Sequence, residues 1–121
     1  MNADTRRQYG GHMFTVVADR TGSAGSATEL VAATANTKII VLDVEFSNGH
    51  TVLGAVQLLS GASTALTGKK YLAVSGGGFA KNDCWYKCAD GAALNFTSTI
   101  DGNHSITVTY AKIPVKSTPH I

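Results

Sequence analysis

Lys38-Ile39-Ile40-Val41-Leu42-Asp43-Val44-Glu45-Phe46, followed by Ser47-Asn48-Gly49-His50, is the stretch whose reading decides the fold. Ile40, Leu42, Val44 and Phe46 recur with period two, and Asp43 and Glu45 fall on the other face with Ile39 and Val41. Successive side chains of a strand point to opposite sides, so this alternation expects a half-buried strand and not a helix. Asn48-Gly49 is a strong hairpin signal, because a type I′ turn needs positive φ at both central residues. The reading therefore expects residues 51–60 to return as the antiparallel partner of residues 38–46.

Outward from this stretch the pattern repeats. Leu94, Phe96, Ser98 and Ile100 alternate with Ala93, Asn95, Thr97 and Thr99. Asp101-Gly102-Asn103 turns the chain, and Ile106, Val108 and Tyr110 alternate with Ser105, Thr107 and Thr109, so a second hairpin is expected. Shorter strand candidates lie at 13–18, 62–66, 69–74 and 84–88, separated by Gly68, Gly76-Gly77-Gly78 and Asp90-Gly91. Residues 27–35 are Ala-rich but short and carry Thr28, Val31 and Thr34, and read as strand or coil. Seven or eight short strands, one every ~8–12 residues, expect an all-β fold: an antiparallel β-sandwich, jelly-roll-like. The sandwich is expected over 27–113. Residues 1–26 read as an N-terminal arm and flexible linker with one strand, the linker being Thr21-Gly22-Ser23-Ala24-Gly25-Ser26. Residues 114–121, with Pro114 and Pro119, read as a C-terminal tail.

Length and composition narrow the function. A chain of 121 residues suits one domain. Charged residues are 15% of it, against a usual share of about 25%. A weakly charged surface can be covered by a partner with little desolvation. The net charge of +2 offers no electrostatic case for nucleic acid or an anionic membrane, and no apolar run reaches the length of a membrane span. The first seven residues precede no apolar h-region, so synthesis in a cytosol is expected. Two cysteines in that setting read as free thiols. Cys84 and Cys88, four apart in a strand, would lie ~13 Å from each other, whereas a disulfide needs Cα atoms within about 7 Å.

Trp85 and Tyr86 are adjacent, so one is expected to anchor the core and the other to face outward or line an interface. His12, His50, His104 and His120 are scattered, and His50 and His104 flank the expected turns, where they read as solvated. Gly61 to Lys69 lacks the glycine spacing, the Ser or Thr after the lysine and the following helix of a phosphate loop. Asn95-Phe96-Thr97 and Asn103-His104-Ser105 match the glycosylation sequon, which has no use without secretion. A cupin-type enzyme would need histidines and a carboxylate clustered on strands, and none cluster in the sequence. No catalytic residue, no cofactor and no metal site is expected, and the chain reads as a non-enzyme.

Val31-Ala32-Ala33, Thr37-Lys38-Ile39-Ile40-Val41-Leu42, Leu72-Ala73-Val74-Ser75-Gly76-Gly77-Gly78, Trp85-Tyr86, Asp90-Gly91-Ala92-Ala93-Leu94-Asn95 and Ile106-Thr107-Val108-Thr109-Tyr110 form a series. In that order they resemble the small β-sandwich virion proteins of tailed bacteriophages, notably capsid decoration (cement) proteins and related head or tail fibre modules. The resemblance spans about 31–110, and its motifs are loose. The cysteines flanking Trp85-Tyr86 depart from its pattern, and the N-terminal segment has no counterpart in it. It implies a jelly-roll-like sandwich, commonly a homotrimer, that clamps neighbouring subunits of the major capsid protein. The implied location is the capsid exterior of a virion made in a bacterial cytoplasm. The candidate interface residues are Tyr86, Trp85, Tyr71, Arg6 and Arg7, the arginines lying on the polar arm and the three aromatics being also the candidates for the competing reading that follows. The competing expectation is a receptor- or glycan-binding module of a phage fibre, which would use a groove with exposed aromatics.

Overall fold

A computed structural model describes residues 13–22, 24–49, 54–74 and 77–115. Ten strands account for most of them: β1 (Met13–Gly22), β2 (Ala27–Val31), β3 (Thr37–Asn48), β4 (Gly54–Ser60), β5 (Thr64–Ala65), β6 (Lys70–Leu72), β7 (Gly78–Lys81), β8 (Tyr86–Lys87), β9 (Leu94–Ser98) and β10 (Gly102–Pro114). No helix occurs among the described residues. Sheet 1 runs β1-β10-β3, and β7 and β8 both pair with the far side of β3. Sheet 2 runs β2-β9-β4, and β5 and β6 both pair with the far side of β4. Every strand pairing is antiparallel.

If β5 with β6, and β7 with β8, are each taken as one interrupted strand, eight remain and their pairings nest. β1 pairs β10, β2 pairs β9, β3 pairs β7/β8 and β4 pairs β5/β6. This is a jelly roll, a long antiparallel hairpin wrapped into two packed sheets. The expected fold class therefore holds.

The expected hairpins do not. β3 and β4 lie in different sheets, as do β9 and β10. Asn48-Gly49 does not reverse β3 onto β4. β3 runs through Asn48, whose amide donates to the Gly77 carbonyl at 2.8 Å while its side chain donates to the Ala73 carbonyl at 3.2 Å. The Gly49 amide donates to the Asn103 carbonyl on β10. Packed sheets stand only ~10 Å apart, a gap that a connection of a few residues can cross. A turn-favouring dipeptide states the local backbone shape and leaves open which sheet the next strand joins. The stretch expected as a linker is also partly built in: Thr21 and Gly22 close β1, and Ala24 bridges Ser98.

The main core fills the space between the sheets. Ile39, Val41, Val44, Phe46, Ile106 and Val108 come from sheet 1, and Val56, Leu58, Leu72, Leu94 and Phe96 from sheet 2. Phe46 and Phe96 meet across the sandwich with ring centroids 6.4 Å apart. A second, smaller apolar cluster holds Ile40, Leu42 and Ala111, with Trp85 and Ile113 packed on it.

A β-bulge explains how one strand feeds both clusters. Asp43 pairs Thr109 and Val41 pairs Tyr110, so Leu42 has no residue opposite it. One extra residue shifts the alternation by one position. Beyond the bulge Val44 and Phe46 point inward; before it Ile39 and Val41 do. Ile40 and Leu42 are thereby turned to the outer side of sheet 1. The single face expected for Ile40, Leu42, Val44 and Phe46 is split in two.

Candidate functional site

The outer cluster is roofed by the arch that joins β7 to β8. The Cys84 amide donates to the Leu42 carbonyl at 2.8 Å, its thiol donates to the same oxygen at 3.2 Å, and the Asp83 amide donates to Asp43 Oδ1 at 2.9 Å. The arch thus satisfies the backbone that the bulge turns away from β10. Asp83 and Trp85 adopt φ of 52° and 55°. The left-handed region is uncommon for any side chain with a Cβ, and for a bulky one it persists only where neighbours impose it. Here it drops the Trp85 ring onto the cluster of Ile40, Leu42 and Ala111, on which Ile113 also packs. Tyr86, next in the chain, packs against the main core instead, with Lys81 Nζ 5.6 Å from its ring centroid. The two aromatics do face opposite ways, as expected, and both are half-buried.

Tyr71 belongs to another surface. It sits on β6 opposite Ala55 and is 81% exposed. Gly54, Ala55, Leu72, Ala73 and Thr99 join it around an open groove of about 500 Å³ whose walls are mostly apolar. Val74, just beyond, is also exposed. Tyr71 lies on sheet 2 and Trp85 over the outside of sheet 1, so the structure does not gather Tyr71, Trp85 and Tyr86 into one patch. Arg6 and Arg7 lie outside the described residues, as do His12, His50 and His120.

His104, expected as a solvated turn residue, is 0% exposed. It occupies the inner side of β10, edge-on to Phe96 at 6.0 Å. Its Nε2 lies 2.9 Å from Ser98 Oγ on β9, so the contact ties one sheet to the other. Ser98 has one hydroxyl proton and gives it to the Ile100 carbonyl at 2.9 Å. The histidine must then donate from Nε2, which assigns its tautomer through the network. A serine nucleophile needs the reverse arrangement, with its proton on the imidazole. The pair, closed to solvent, braces the 99–101 turn. The period-two rule could have placed His104 with Ile106 and Val108; turn proximity was the misleading signal.

Both cysteines are free, Cys84 half-buried and Cys88 buried, as the sequence led us to expect. Burial pushes each thiol from the ordinary 9.0 up to about 11. Burial likewise raises Tyr110. Nucleophilic chemistry runs through the thiolate, so neither cysteine is poised for it. Among the described residues no three His, Cys, Asp or Glu side chains converge to hold a metal, and no helix is long and apolar enough to cross a membrane.

No family model matches the chain, and no curated protein matches it. Among solved structures, the chain is similar to the Tobacco streak virus coat protein dimer, with 11% identity, 91% of each chain covered and a TM-score of 0.40. A likeness that loose carries no function from one chain to the other.

Proposed function

We propose that this chain is a non-enzymatic structural protein of a bacteriophage virion, of the capsid decoration (cement) type, binding the outside of the major capsid shell and associating with itself. The observation that carries this reading is the outer surface of the two sheets. Thr15, Ser105, Thr107 and Thr109 on sheet 1, and Gln57, Asn95, Thr97 and Thr99 on sheet 2, are uncharged, and among them stand the charges of Asp43 and Glu45, opposite Thr109 and Thr107, and of Glu29, opposite Asn95. Such faces can be covered by neighbouring subunits without stripping water from many charges. Repetition over a shell then multiplies modest contacts through multivalency. The resemblance to tailed-phage decoration proteins across 31–110 supports the same role. The test is cosedimentation with empty shells built from the major capsid protein of the same phage. Saturation at a fixed ratio to capsid subunits is expected, and no sedimentation above background at micromolar protein overturns the reading.

The second reading, a receptor- or glycan-binding module of a head or tail fibre, is favoured by one observation. Tyr71 stands exposed beside the apolar groove of about 500 Å³, an aromatic placed to stack on a sugar ring. A glycan-array signal that Tyr71→Ala abolishes, together with failure to bind shells, would move the assignment to this reading.

A further inference from the structure

We propose that β1 is a strand-pairing interface: two copies of the chain join β1 to β1, antiparallel, and fuse their β1-β10-β3 sheets into one. The inference rests on the strand pairing and sequence of β1 and is independent of the virion reading.

A sandwich of two open sheets has four lateral edges, and an unpaired edge is a template for another strand. Three of these edges are interrupted. The edge beyond β4 is broken into β5, two residues, and β6, three residues with Lys70 among them. The edge beyond β3 is broken into β7, ending in Lys81, and β8, ending in Lys87, with the Trp85 arch between. β2 has five residues and a register shift between Glu29 and Val31. Short strands, charged side chains and bulges are the devices that keep edges from associating. β1 is neither short nor bulged, and its charges are one adjacent pair of opposite sign, Asp19 and Arg20. It pairs β10 through ten consecutive residues, Met13↔Ala111 to Gly22↔Gly102, without a shift. Its sequence, Met13-Phe14-Thr15-Val16-Val17-Ala18-Asp19-Arg20-Thr21-Gly22, contains no proline and no lysine. Among the described residues nothing pairs with its other side, which leaves ~33 Å of regular backbone to be matched.

The strand is also complementary to itself. In an antiparallel pair centred on Val17, Thr15 stands opposite Asp19, Phe14 opposite Arg20, and Val16 opposite Ala18. No like charges meet. Residues of the same parity face each other, so the outer face of one sheet continues into the outer face of the next. Such a pair has a two-fold axis and closes at two copies. The geometry thus favours two copies over the three that the phage resemblance implies.

The test is light scattering coupled to size exclusion on the full chain and on variants at the axis. The wild type is expected at twice 12.6 kDa. Val17→Lys and Val17→Glu each bring like charges face to face at the axis. Each is expected to halve the mass while far-UV circular dichroism stays that of the wild type, and mixing the two is expected to restore the dimer. Should either variant fail to fold, Val17→Cys decides. Under a mild oxidant it is expected to run as a covalent dimer on a non-reducing gel, while Thr64→Cys on the interrupted edge and the wild type stay monomeric on the same gel. A wild type that remains monomeric at high concentration, a trimer, or a Val17→Cys protein that does not cross-link overturns the proposal. None of these outcomes bears on shell binding, which is measured separately.

Discussion

The two apolar clusters of sheet 1 differ in how they are closed. The main core is shut by a second sheet, whose Phe96 meets Phe46 across the gap, and its one histidine is bonded to Ser98. The outer cluster of Ile40, Leu42 and Ala111 is shut by a single loop and one half-buried tryptophan. Both draw on β3, and the bulge at Leu42 decides which residue goes where. A sheet can thus carry a working hydrophobic cluster on its outer side, provided that a bulge turns apolar residues outward and a connection is long enough to cover them. The lid is also tied to the bulge by hydrogen bonds to the Leu42 carbonyl, so the two features depend on each other.

The main core is most sensitive at Phe96. Phe96→Ala opens a cavity between the sheets at a wholly buried position, and the expected loss is about 3–5 kcal/mol in chemical denaturation. Leu42→Ala removes the centre of the outer cluster. Its expected cost is about 2–3 kcal/mol, toward the lower end for such changes because a loop can settle into the space more readily than a sheet can. Equal losses at the two positions would mean that the outer cluster is as rigid as the core. Trp85 is the only tryptophan, so its fluorescence reports the outer cluster while far-UV circular dichroism reports the sandwich. Coincident unfolding curves are expected for one cooperative unit, and an earlier fluorescence transition would show the lid opening alone.

Ser98→Ala tests a polar contact between the inner faces of the two sheets. It leaves the buried His104 Nε2–H without its acceptor, at an expected cost of about 1–3 kcal/mol, and Ser98→Thr keeps the hydroxyl and is expected to recover part of it. The smallest effect concerns the thiols. Both have folded values near 11 against an ordinary 9.0, because burial disfavours the thiolate. Below pH 9 the thiols are protonated in both states and this contribution to stability is whole. As pH rises from 9 toward 11 the unfolded chain releases its thiol protons first, so stability declines across that window. A denaturation midpoint that does not fall between pH 9 and 11, once compared with a Cys84→Ser, Cys88→Ser double variant, would contradict it. At pH 8 a thiol reagent is expected to label the native protein far more slowly than the unfolded one.

The strands themselves were legible. Alternation located β3, β9 and β10 to within a few residues, because a pleated chain with one buried side writes its period into the sequence. Seven or eight short strand candidates, one every ~8–12 residues, pointed to a sandwich. β7 was not legible: four residues with one inward aromatic, Phe79, lie next to a glycine run that reads as loop. Its first residue, Gly78, is needed for close approach, since a Cβ there would stand 2.9 Å from the Phe46 carbonyl oxygen. His104 was misread because its nearness to a turn outweighed its register with Ile106 and Val108. The opposite orientations of Trp85 and Tyr86 followed from adjacency, whereas the left-handed backbone that brings Trp85 over the bulge has no sequence signal among residues of its type.

By itself, then, the sequence determined that the chain is all-β, where most strands run, and that the cysteines stay unpaired. Each of these follows from relations between residues a few positions apart: period, spacing and reach. The tertiary structure alone decided that β3 and β4, and β9 and β10, part into opposite sheets, that Leu42 is turned outward, and that His104 closes a bond between layers. These depend on which distant strand lies alongside. β1 pairs β10 nearly a hundred residues later in the chain, as Met13 facing Ala111 shows, and no local pattern records a partner that far away.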